Sequence, residues 1–100
     1  MNNKFTLPKE KIKEFCLKWN IVEFSLFGSI LRDDFDTESD IDILISLSEE
    51  ADLDLYDWIT MVEELEKIFG REVDLVEKST LRNPFRRHSI LNNREIIYAP

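Results

Sequence analysis

The sequence predicts an α+β fold in which a small mixed β-sheet is flanked by helices. Two stretches repeat their apolar residues with helical spacing, and between and after them lie short runs of β-formers closed by glycine, proline or asparagine. One hundred residues bury roughly 65% of the surface that the unfolded chain exposes, enough for one core. We therefore expect a single domain over residues 1–100, with a site that is small or shared with a partner.

Each element follows from its residues. Pro8 suits a first helical turn, and Ile12, Phe15, Cys16 and Trp19 then predict an amphipathic helix as far as Asn20. Ile21 to Phe27 reads as a strand that ends in a tight turn at Gly28, with a short helix starting at Ser29. Ile41 to Leu47 reads as a buried strand and Glu49 to Asp54 as a solvated acidic linker. From Asp54 to Phe69 the set Leu55, Trp58, Ile59, Val62, Leu65 and Phe69 predicts one helical face. Gly70 stands where a helix end favours left-handed backbone. Arg71 to Glu77 reads as a third strand, Pro84 to Asn92 as a basic helix, and Glu95 to Ala99 as a final strand. Cys16, the only cysteine, excludes an intrachain disulfide and reads as core filling. No apolar run approaches the ~20 residues that span a bilayer, and with no charged-then-apolar stretch at the start we expect no secretory signal. We expect a cytoplasmic protein without a membrane partner.

Charge narrows the function. The formal net charge of −8 repels a phosphate backbone, so direct nucleic-acid binding is not expected. The balance is uneven. Arg82, Arg86, Arg87 and Arg94 face Glu95 alone in residues 80–100, net +3, and the rest of the chain carries −11. That segment reads either as a solvated helix face or as a docking or phosphate-facing surface.

The acids are concentrated where a strand begins. Six of them occupy the ten positions from Asp33 to Asp42, and Asp33, Asp34, Asp36 and Glu38 read as a solvated loop. A calcium loop counted from Asp34 fails, because it puts Ser39 at the glycine position and Ile45 at the bidentate glutamate position. On a strand, Asp40 and Asp42 project together, while Ile41, Ile43 and Ile45 project to the opposite, buried side. Asp74 interrupts its apolar strand in the same way. Carboxylates on neighbouring strands are hard oxygen ligands suited to Mg²⁺, so Asp40, Asp42 and Asp74 are the candidate metal ligands and catalytic residues. A structural strand-capping role is the alternative for these aspartates. Gly28 removes side-chain bulk at the preceding turn, and the amides of a following helix, with the Ser29 hydroxyl, favour a phosphate. Ser29 as a simple helix cap is the alternative. His88 has no partner suggested by spacing and reads as a surface or packing residue.

The stretch "GSILRDDFDTESDIDILI" resembles the Gly-Ser, Arg, Ser-Asp-x-Asp signature of the DNA-polymerase-β-like nucleotidyltransferase superfamily, in particular its minimal, MntA-like members. The likeness extends over essentially the whole chain, "VDLV" supplying the third aspartate. It implies that Asp40, Asp42 and Asp74 bind Mg²⁺ and that Gly28 and Ser29 hold the triphosphate of ATP. It also implies that Arg32 lies near the phosphates. Asp33 stands where many members have glycine. The implied activity is transfer of AMP from ATP to a protein hydroxyl. The implied role is an antitoxin that adenylylates a partner HEPN ribonuclease, usually on a tyrosine. A non-catalytic antitoxin acting by contact, and transfer to a small molecule or an RNA end, are the alternatives.

Overall fold

The computed structural model describes residues 7–31 and 40–99. In chain order the elements are α1 (Lys9–Lys18), β1 (Ile21–Phe27), a 3₁₀ turn (Gly28–Leu31), β2 (Ile41–Leu47), α2 (Leu55–Phe69), β3 (Val73–Glu77), a second 3₁₀ turn (Lys78–Thr80), α3 (Pro84–Asn92) and β4 (Glu95–Tyr98). The strands form one mixed sheet in the order β3-β2-β1-β4. β1 runs antiparallel to β2 and β4, and β2 and β3 are parallel, joined through α2 as a parallel pair requires.

Local chemistry sets the boundaries. α1 ends at Lys18, two residues before the expected Asn20, because Asn20 takes a left-handed φ of 58°, which asparagine tolerates better than most residues. α2 opens with a capping box in which Asp54 Oδ1 accepts from Asp57 N at 2.8 Å and Asp57 Oδ2 accepts from Asp54 N at 3.2 Å. It closes at Gly70, φ 72°, whose N–H donates to Glu66 O at 2.8 Å. Asn83 caps α3 by accepting from Phe85 N and Arg86 N, and Pro84 occupies the first turn.

The sheet has helices on both faces. On one, α1 and α2 cover Phe24, Leu26, Ile41, Ile43 and Ile45 with Ile12, Phe15, Met61 and Leu65, forming the larger core. Cys16 is fully buried there, and burial pushes its thiol up to about 12, so it fills space as an unreactive thiol. The α2 face differs from expectation at two positions. Leu55 is 71% and Ile59 46% exposed, while Met61, absent from the expected set, is buried. At 100° per residue Leu55 and Ile59 fall beyond the edge of the arc centred on Met61, Leu65 and Phe69. On the opposite face a smaller cluster, Phe27, Leu44, Leu81 and Ile90, seats α3. No helix among the described residues is long and apolar enough to cross a membrane.

Candidate active site

The polar residues gather where β1 leaves the sheet and β2 and β3 enter it. β2 alternates: Ile41, Ile43 and Ile45 are fully buried toward α1 and α2, which turns Asp42 and Leu44 to the α3 side. Asp42 pairs with Phe27 of β1 on one flank and with Asp74 of β3 on the other. In a parallel ladder register partners face the same side, so Asp42 and Asp74 stand side by side on strands about 4.8 Å apart. Like charges at that range repel by roughly 1 kcal/mol even in a water-like dielectric.

Gly28 is explained by Asp42. Its φ is 73°, and a Cβ built on it lies 2.2 Å from Asp42 Oδ2. The carboxylate therefore lies directly against the glycine backbone, and any side chain at this position displaces it. Gly70 has nearly the same φ, but nothing lies within 4 Å of its added Cβ. The first glycine makes room for a functional group and the second only turns the chain.

The expected helix from Ser29 is a 3₁₀ turn beginning at Gly28, so the Ser29 backbone is part of the turn that follows β1. Arg32, Asp33 and the rest of the acidic loop to Ser39 lie outside the described residues. Asp40 is exposed immediately before β2, where Ile41 N donates to Glu72 O at 3.1 Å and ties the strand entry to the start of β3. Among the described residues no group of three acidic, histidine or cysteine side chains closes around one point. The donor set nonetheless fits a hard divalent cation. Two carboxylates are held in β register, the Gly28 cradle fixes one of them, and a third, Asp40, immediately precedes β2.

Two cavities flank the pair. One, about 530 Å³, lies on the Gly28 side and is lined by Phe27, Gly28, Leu31, Ser89, Ile90 and Asn93. Ser89 lies on α3 and Asn93 at its C-terminal cap, and Asn93 Nδ2 donates to Ser89 O at 2.8 Å. Neither was singled out in the sequence; their only signal is a polar i, i+4 pair inside a segment dominated by arginines. The other cavity, about 390 Å³, lies on the Asp74 side and includes Trp58 and Arg86 in its lining.

The basic segment divides by task. Arg87 Nη1 donates to Lys78 O at 3.1 Å, and Arg94 and Lys78 both pair with Glu23 of β1, Lys78 at 3.9 Å. Arg87 and Arg94 thus bind α3 and β4 to the sheet. Arg82 and Arg86 point outward and have no ion-pair partner among the described residues. His88 is exposed, its ring 3.1 Å from the Asn92 amide, in keeping with a surface residue.

A mixed sheet that sets paired aspartates beside a Gly-Ser turn defines a class of enzyme, and residues 9–97 match the nucleotidyltransferase domain model. The chain belongs to that family and is a nucleotidyltransferase. Within it, the chain falls with the MntA-type minimal nucleotidyltransferases. It is 32% identical over 94 residues to protein adenylyltransferase MntA of Thermococcus cleftensis, covering 94% of this chain and 87% of that one. It is 36% identical over 82 residues to a Methanocaldococcus jannaschii protein assigned as an adenylyltransferase of proteins, covering 82% of this chain and 80% of that one. Its fold superimposes on a toxin–antitoxin crystal structure with AMP-PNP at a TM-score of 0.75, with 20% identity over 94% of this chain and 75% of that one. A solved complex of tri-AMPylated Shewanella oneidensis HEPN toxin with MNT antitoxin matches at 0.66, with 18% identity over 92% of this chain and 70% of that one. At these identities the two structures show the shared fold.

Proposed function

We propose that this nucleotidyltransferase moves AMP from ATP onto a hydroxyl of a partner protein, and that the partner is a HEPN-family toxin which the modification neutralises. The observation that carries the reading is the contact of Gly28 with Asp42 beside Asp74, at the edge of a cavity of about 530 Å³. The names of the relatives, protein adenylyltransferases, support the protein acceptor, and the fold shared with toxin–antitoxin chains supports the partner. The domain match over 9–97 supports one nucleotidyltransferase domain across residues 1–100, and we place the protein in the cytoplasm, where such a partner would be met.

In this mechanism the triphosphate lies against the turn at Gly28, held by its backbone amides, Ser29 and Arg32. Asp40, Asp42 and Asp74 would hold Mg²⁺, which when bound supplies charge neutralisation for the phosphates and the attacking oxygen. Asp74, the exposed member of the register pair, accepts the proton of the acceptor hydroxyl. The freed oxygen bonds to the α-phosphorus of ATP, the bond from that phosphorus to the bridging oxygen breaks, and pyrophosphate leaves with the electron pair. Gly28 keeps the Asp42 carboxylate against the turn, so phosphate and carboxylate meet within one short segment.

Asp40 stands before β2 and outside the ladder that pairs Asp42 with Asp74, which favours a second reading, an antitoxin acting by contact alone. Incubating the protein with labelled ATP, Mg²⁺ and a HEPN protein separates the two. Label on the HEPN protein, lost with Asp42→Asn, is the expected result; a tight complex with no label transferred would leave only the contact reading.

A further inference from the structure

The cavity on the Asp74 side has an unusual composition for this chain. β3 is an edge strand, and its Leu75 and Val76 form an apolar floor. Trp58 of α2 and Arg86 of α3 contribute walls, and Asp74 stands in the lining. Arg86 is exposed, and its guanidinium has no ion-pair partner among the described residues, although the chain as a whole carries −8. The neighbouring Arg87 and Arg94 are engaged with Lys78 O and Glu23, so the segment's positive charge reaches solvent here through Arg86 and Arg82.

We infer that this groove receives the acceptor, and that Arg86 is a specificity-determining residue selecting an extended segment with a carboxylate beside the hydroxyl that is modified. The inference rests on the proposed protein acceptor and names its local chemistry. Gly28 and Asp74 lie on opposite flanks of Asp42, so a triphosphate at Gly28 leaves the Asp74 flank for the attacking oxygen. An attacking group held there lies in the cavity that Arg86 borders. The lining also holds Glu77, but its carboxylate is engaged by Ser79 N and Ser79 Oγ, so the Arg86 guanidinium is the charged group of this groove left to pair with a carboxylate on the acceptor. Trp58, half-buried and anchored against the main core, offers a rigid apolar wall that needs no ordering on binding.

The test is a charge swap on the full chain. Synthetic peptides carrying one hydroxyl flanked by glutamate, by glutamine or by lysine are offered with ATP and Mg²⁺ to wild type, Arg86→Glu and Lys13→Glu. Lys13 lies on α1, which packs on the other face of the sheet, so its reversal controls for net charge. Wild type should modify the glutamate peptide about tenfold faster than the lysine peptide at low salt, and the preference should shrink as salt rises. Arg86→Glu should reverse that order, with ATP affinity unchanged, while Lys13→Glu keeps it. Equal preferences in wild type and Arg86→Glu, with transfer intact, would overturn the inference and leave the proposed function standing. No transfer by wild type to any peptide or to the HEPN protein would overturn the proposed function itself.

Discussion

The two faces of the sheet are built from the same strands yet are used differently. Toward α1 and α2, β2 sends the fully buried Ile41, Ile43 and Ile45 and the partly buried Leu47, and the core there takes in residues from α1, β1, β2, α2 and β3. Toward α3 the same strand sends Asp42 and Leu44, β3 sends Asp74 and Val76, and β1 sends Glu23 and Phe27. Strand alternation places charge within one residue of a dry core without desolvating it. The lesson is that the dry face holds the backbone register, and the register then holds the aspartates where their mutual repulsion would otherwise part them.

Breaking each face in turn should separate function from stability. Asp42→Asn should lower AMP transfer by at least about a thousandfold, the scale of losing a transition-state charge contact, while the melting temperature stays level or rises slightly because one of two repelling charges is gone. Ile43→Ala, one residue on, should cost about 2–5 kcal/mol in denaturant unfolding, and the fraction that stays folded should keep its transfer rate. An Asp42→Asn variant with full activity would remove Asp42 from the chemistry.

The two left-handed glycines sharpen the contrast at smaller scale. Gly28→Ala and Gly70→Ala should each lose about 1 kcal/mol of stability from a strained positive φ. Only the first pushes on the Asp42 carboxylate, so only Gly28→Ala should also reduce ATP turnover, by roughly ten- to a hundredfold. Equal activity in the two variants would mean that the Gly28–Asp42 contact is structural alone.

The smallest effect lies on the dry face's rim. Lys18 Nζ donates to Glu64 Oε2 at 2.6 Å, and Trp19 Nε1 donates to Glu64 Oε1 at 3.0 Å. Burial pushes the Glu64 carboxyl up, but these two hydrogen bonds and the charges of Lys18 and Lys67 outweigh it and leave the group below its usual 4.5. A lowered folded value means that the stabilisation is present above pH 4.5 and is lost as pH falls through the folded value. Glu64→Gln should therefore cost under about 1 kcal/mol near neutrality. The gap in melting temperature from wild type should close on acidification below about pH 4.5 and leave transfer unchanged. A gap that did not narrow on acidification would assign the loss to packing.

Alternation, turn residues and helical spacing were enough to read all four strands and the three helices, and to single out Gly28 and Asp42 as separate candidates, because each rests on neighbours within a few positions. Leu55 and Ile59 misled because hydrophobicity alone does not say how wide an arc the sheet will cover; Met61 was passed over for the same reason. The task of each arginine was illegible too. Arg87 and Arg94 look like Arg86 in the sequence, and only the packing of α3 and β4 on β1 brings Lys78 O and Glu23 within their reach. What the sequence alone determined is which residues could do the chemistry: short-range periodicity assigns aspartates and isoleucines to opposite sides of a strand. What the tertiary structure decided is which of them meet. The partnership of Asp42 with Asp74, 32 positions apart, and the pressure of Asp42 on Gly28, 14 apart, depend on strand register, and register is set by the packing of the whole core rather than by any local stretch of chain.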